Sequence, residues 1–240
     1  MEAREKSDLI SHARSAPLWG IFVSPVRTFG SLCEQPRWFV PLAFAAAFSM
    51  AVDYYATSHI GFESLVRGVA KSAGTLDPEG MVQNALAHKI QILAIQSAGS
   101  FLGVFATAMI VALILWLLVL GVGGEVKFKS VLAVLGHVNL GYLVVRQSML
   151  ALSVSLCRDP ASFDLRNPLA TNVGFFVQSS SPITARILSS LDLVTFTAEV
   201  LVVIGLTKVS PGLSRATSCV IVFLPWSLFV ALRAWMAAWQ

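Results

Sequence analysis

The feature that most limits this chain is the apolar run at 100–123, whose centre reads VFATAMIVALILWLLVLGVG without one charged residue. About 20 consecutive apolar residues make a helix long enough to cross the hydrocarbon of a bilayer. Four further runs are mostly apolar: 38–56, 131–157, 191–206 and 217–239, the third and fourth spans carrying Arg146 and Glu199 inside them. Backbone amides and carbonyls find no water inside a membrane, so helices are the expected spanning form. The expected fold class is therefore all-α, a polytopic membrane bundle of about five transmembrane helices with an amphipathic N-terminal segment. Composition agrees with this, because only 12% of the 240 residues are charged, where a soluble domain carries about 25%. Too little polar sequence remains to enclose a separate soluble domain.

The connections alternate in length. GGEVKFKS and TKVSPGLSRA are short and make helical hairpins of spans two and three and of spans four and five. The connections at 57–96 and 158–190 are long and polar. Pro78-Glu79 predicts a helix start, since proline fits a first turn and Glu complements its positive end. Met81, Leu86, Ile90 and Leu93 would share an apolar side of that helix. Ser181-Pro182 predicts another start, with serine as the cap, and PITARILSSLD is expected to lead straight into the fourth span.

Basic residues set the expected orientation. Arg4, Lys6, Arg14, Arg27 and Arg37 precede the first span, and Lys127, Lys129, Lys208 and Arg215 occupy the short links. The long connections hold Arg67, Lys71, Lys89, Arg158, Arg166 and Arg186, spread over more residues and among acids. The bias places the N-terminus in the cytoplasm and the C-terminus outside. Residues 1–37 are then a cytoplasmic segment with an interfacial helix, and 38–240 a five-span membrane domain. No apolar core with a small-residue cleavage site follows the polar start, so no cleaved signal peptide is expected.

No catalytic signature is present: HExxH, GxSxG, phosphate loop and dinucleotide fingerprint are all missing from the sequence. Cys33, Cys157 and Cys219 are far apart, and His12, His59, His88 and His137 lack metal-ligand spacing. No catalytic residue, cofactor, metal or nucleic-acid partner is expected; the basic residues flank apolar runs instead of forming a phosphate-binding helix. The informative polar residues are those inside spans, since intramembrane charge is costly. Asn139, Tyr142 and Arg146 share one helix face, and Asp192 and Glu199 share another. An Arg146–Glu199 contact would lower the cost of both groups. Two readings stay open: a proton or ion relay, and a single ion pair that locks the bundle. Asp53 and Arg233 lie near span ends, within reach of the interface.

Small residues mark candidate packing faces. Ala43, Ala47 and Ala51 recur every fourth position, and Gly99 and Gly103 form a GxxxG continued by Thr107. Packing within the chain is the expectation, and a homo-oligomer is the alternative. The stretch before the first span carries Trp19, Ile21, Phe22, Val26, Phe29 and Leu32 at helical spacing, broken around Pro25, with Arg14, Arg27 and Arg37 beside them. An amphipathic helix on the inner leaflet explains this mixture, and a partner-binding surface is the alternative.

Four segments together resemble the Yip-one (Ypt-interacting protein) domain family in its bacterial branch. They are IFVSPVRTFGSLCEQPRWFVPL, FKSVLAVLGHVNLGYL leading into the third span, NPLATNVGFF followed by ILSSLDLVTF and VVIGLTKVS, and the closing span with Pro225-Trp226. They cover nearly the whole chain in the family's order. The resemblance implies a five-helix membrane domain with a cytoplasmic N-terminus. Eukaryotic members act in vesicle trafficking and contact Rab-type GTPases. The acidic DLYGP motif expected before their spans is missing here. Gly136-His137 stands where they tend to have Gly-Tyr, and Phe196-Thr197 where bacterial members commonly have tryptophan. The implied function is non-enzymatic: membrane organisation or partner recruitment, with the lipid bilayer as one partner and a protein as a possible other. A small transporter or channel using Arg146 and Glu199 is the alternative.

Overall fold

A computed structural model describes residues 20–73, 75–158, 163, 169–177, 181–237 and 239, with the side chains of 71–73 left aside. These residues form helices α1 (Gly20–Val23), α2 (Pro25–Ser31), α3 (Phe39–Ile60), α4 (Phe62–Ala73), α5 (Pro78–Ala87) and α6 (Lys89–Gly121). There follow α7 (Phe128–Leu156), α8 (Val173–Phe176), α9 (Pro182–Ser190), α10 (Leu193–Val209) and α11 (Arg215–Ala237). No strand occurs among the described residues; the extended structure there is one isolated bridge between Asn172 and Asp192.

Among the described residues, four helices are long and apolar enough to cross a membrane: α3, α6, α7 and α11. They correspond to the first, second, third and fifth apolar runs. The fourth run is α10, with 17 residues. At about 1.5 Å per residue it reaches about 25 Å, short of the ~30 Å hydrocarbon layer. The five apolar runs thus form four helices of spanning length and one shorter apolar helix. The break before α10 explains the difference. The chain does not run on from PITARILSSLD as expected. Instead Val173 N–H donates to Leu191 O at 3.2 Å and Leu193 N–H to Thr171 O at 3.0 Å, an extended pairing that ends α9.

Local chemistry fixes the other ends. Asp77 caps α5 by accepting from the Gly80 N–H at 2.8 Å, and Pro78 follows at the first turn, as its rigid φ favours. The expected apolar side is not the one that packs. Val82 and Ala85 are buried, whereas Leu86 is exposed and Ile90 lies beyond a break at His88. α6 stops in a Schellman turn, with Gly124 N–H on Val119 O at 2.9 Å and Gly123 N–H on Leu120 O at 3.0 Å. Gly123 supplies the left-handed conformation this requires, at φ 79°.

The chain divides into two compact units. The first comprises the described part of Met1–Ala43 together with Thr107–Gly141 and Thr197–Ser227. Its centre is the first half of α7, where 130–138 are buried without interruption. A helix apolar all round belongs inside protein. Two glycines let neighbours approach it. A Cβ on Gly136 would stand 2.9 Å from the Trp38 carbonyl oxygen, and one on Gly205 of α10 would strike the Val134 methyls. α6 buries one stripe here: Ala108, Ala112, Leu115 and Val119.

The second unit comprises the described residues of Phe44–Ala106, Tyr142–Phe196 and Leu228–Gln240. Ala56 and Ile60 of α3 cluster with Val154 of α7, and Leu65, Leu150 and Phe163 pack around them. α3 and α7 run parallel in this unit, since Asp53 meets Gln147 and Tyr55 meets Ser155 further along both helices. Arg67 of α4 bonds Glu63 at 3.0 Å and also Glu79 of α5. Those bonds raise the Arg67 pKa, the Glu63 hydrogen bond being the largest cause. The pair of short helices is further joined to α6 by Lys89 Nζ, 5.8 Å above the Phe62 ring.

On the predicted small-residue face of α3, Ala43 is half-buried and Ala47 and Ala51 are exposed, and the buried residues of the helix include Leu42, Ala45, Ala46, Ser49, Val52 and Ala56. Nothing lies within 4 Å of where a Cβ would stand on Gly99 or Gly103. Spacing alone identified a stripe but not a neighbour. In lipid, an outward face tolerates small residues as well as an inward one does.

Candidate functional site

The polar residues of the spans were the candidates, and the two units divide them. Asn139 and Glu199 belong to the first; Tyr142, Arg146 and Asp192 belong to the second. Asn139, Tyr142 and Glu199 are half-buried, and Arg146 is exposed. The ion pairs seen within a unit among the described residues both belong to Arg67.

Asp192 is a helix cap. One carboxylate oxygen accepts from the Thr195 N–H at 2.7 Å and the other from the Thr171 hydroxyl. Its backbone carbonyl accepts the first intrahelical bond, from Phe196 N–H at 2.9 Å. The carboxylate thus satisfies amides at the positive end of α10. Asn172 does the same one segment earlier, accepting from Phe175 N–H at 3.0 Å.

The polar contacts that join membrane helices lie elsewhere. Gln147 of α7 donates from Nε2 to Asp53 Oδ1 of α3 at 3.3 Å. The hydroxyls of Tyr55 and Ser155 are 2.8 Å apart, and Ser155 also donates to Ala151 O at 2.7 Å. Sequence reasoning singled out Asp53 but passed over Gln147, Tyr55 and Ser155. Gln147 directly follows the conspicuous Arg146. An uncharged amide in an apolar run was the signal that could have found it. His137 is a buried structural residue, with Nδ1 2.9 Å from Ala133 O.

In the first unit, three connecting segments meet. Ser210, after α10, donates to Glu125 O in the α6–α7 link at 3.1 Å. Cys33, after α2, places Sγ 3.2 Å from Lys208 O. These segments carry Arg27, Arg37, Lys127, Lys129, Lys208 and Arg215, all exposed. α1 and α2 meet at Ser24-Pro25, where the ring of Pro25 opens the second helix. Ile21, Phe29 and Leu32 are buried, Ile21 standing 3.6 Å from a Cβ on Gly141. Phe22, Val23 and Val26 are exposed. Trp19, the first residue of the expected amphipathic stretch, lies outside the described residues.

The sequence profile of the Yip1 domain matches residues 19–236. The chain belongs to the Yip1 domain family. The match runs from the residue before α1 to the last turn of α11, so it covers both units of this Yip1 domain. It is a multi-pass membrane protein. Searches of curated proteins and of solved structures found no match. Two of the segments that carried the resemblance meet physically in the Yip1 domain: PRW contributes the Trp38 carbonyl, and LGHV contributes the glycine beneath it.

Proposed function

We propose that this Yip1-domain protein is a non-enzymatic membrane scaffold that organises the bilayer or recruits a partner to it. The observation that supports the reading is the basic face where the segment after α2 and the α6–α7 and α10–α11 links are bonded together. Beside it, α1 and α2 turn Phe22, Val23 and Val26 outward, with Arg27 next to them. Such a mixture suits anionic headgroups and the acyl boundary. In this reading the face is cytoplasmic, the membrane is the bacterial inner membrane, and the C-terminus lies outside. Polar residues of the spans serve chiefly as fasteners between helices.

The competing reading is a small transporter or channel using Arg146 and Glu199. Purified protein in liposomes separates the two. The scaffold reading expects no solute or ion flux above protein-free vesicles, together with altered vesicle shape or size. Flux abolished by Arg146→Leu or Glu199→Leu would overturn it. Proximity labelling in native membranes would then name the partner class.

A further inference from the structure

Asp53 sits about two turns before the end of α3, a helix of membrane-spanning length. No described cation pairs with it. Its carboxylate takes the Gln147 amide N–H instead. The other end of that amide, Gln147 Oε1, has no hydrogen-bond partner in the protein, although Gln147 is only 5% exposed. Ser49, one helical turn before Asp53 on the same face, is 3% exposed, and its hydroxyl is likewise unpartnered. Buried polar atoms without partners are uncommon and costly. Here two of them accompany the Asp53 carboxylate, Gln147 bonded to it from α7 and Ser49 one turn earlier on α3.

We propose that Ser49, Asp53 and Gln147 form a binding site for a small monovalent cation, with sodium as the probe. The three ligands are oxygens: a carboxylate, an amide carbonyl and a hydroxyl, the donor type that hard cations take. Charge decides between cations. A single carboxylate balanced by a monovalent ion leaves the site neutral, whereas a divalent ion would leave a net positive charge among apolar helices, which is costly. The ion would tie α3 to α7 at the level where the Asp53–Gln147 bond already joins them. This inference stands apart from the scaffold reading, since a lock between two helices serves a scaffold or a transporter equally.

The test uses the full chain in detergent or nanodiscs. Thermal unfolding is followed while sodium chloride replaces choline chloride at constant ionic strength. A ligand that binds only the folded state raises Tm with saturation. The expected result is a saturable sodium-dependent rise of several degrees. That rise should vanish in Asp53→Asn and need several-fold more sodium in Ser49→Ala. Retention of radioactive sodium by the wild type, lost in the same variants, gives a second readout. If Asp53→Asn does not fold, Ser49→Ala and Gln147→Met carry the test. Equal Tm in both salts would overturn the site and leave water as the partner of the two buried oxygens. A rise that persists in the ligand variants, or one produced by acid alone without sodium dependence, would overturn it as well.

Discussion

The backbone carbonyl of Trp38 rests on Gly136: a Cβ at position 136 would lie 2.9 Å from that oxygen and 3.5 Å from Leu42 Cγ. The start of α3 and the middle of α7 thus touch through backbone, and side-chain bulk at 136 has nowhere to go. Leu42 is fully buried beside this contact, so relief by side-chain rotation is not available either.

Gly136→Ala is expected to destabilise by about 1–3 kcal/mol, as overpacking of a filled core does, and Gly136→Val by more. Gly99→Ala and Gly103→Ala, which meet open space, should leave stability unchanged or raise it slightly, since Ala favours helix over Gly by roughly 0.5–1 kcal/mol. Denaturation in mixed micelles measures all four. Equal losses at 99, 103 and 136 would mean that the GxxxG face is packed after all.

Removing the cap of α10 should be felt directly. Asp192→Ala is expected to cost about 0.5–2 kcal/mol, with Asp192→Asn costing less because an amide oxygen still accepts from Thr195 N–H. A residue acting as a proton carrier would show the opposite ranking in a transport assay, with Asn as inactive as Ala.

Tyr55 and Ser155 should couple. Interhelical hydrogen bonds in membranes average about 0.6 kcal/mol and reach about 1.7. A double-mutant cycle of Tyr55→Phe and Ser155→Ala is expected to return a coupling in that range. A coupling of zero would place the two hydroxyls apart in the bilayer.

Spin labels along α1 and α2 should divide by residue. Labels at Phe22, Val23 and Val26 are expected to show lipid accessibility, and labels at Ile21, Phe29 and Leu32 strong immobilisation by neighbouring protein. Water exposure of the first set would favour a soluble partner over the membrane as its cover.

Reporter fusions address α10. If that helix completes a crossing, the two ends of the chain report from opposite faces; if it stops short, they report from the same face. Opposite faces are expected, because polar links precede and follow it, with the basic residues Lys208 in its last turn and Arg215 beyond its end.

Much of the fold was legible in the sequence for physical reasons. Apolar runs, the Pro78 and Ser181-Pro182 starts, and the bend at Pro25 rest on local chemistry that each segment carries by itself. What escaped depends on neighbours. Spacing placed Ala43, Ala47 and Ala51 on one face, but lipid accepts such a face as readily as protein does. Charge drew attention to Arg146 and Glu199, and so passed over uncharged Gln147, which bonds Asp53 within one unit. Asp192 looked like an intramembrane carboxylate because the break at Leu191 comes from extended pairing with Thr171–Val173, a contact distant in sequence.

The length of α6 has a consequence for the membrane itself. Its 33 residues extend about 50 Å at 1.5 Å per residue. Even at a 40° inclination, the steep end of the observed range, such a rod still reaches about 38 Å along the bilayer normal. The hydrocarbon layer is about 30 Å thick, so roughly two turns emerge from it. The emerging end is the one bearing Lys89, Gln91 and Gln96. Polar side chains on those turns then reach the headgroup layer, which widens the bilayer to about 40–45 Å.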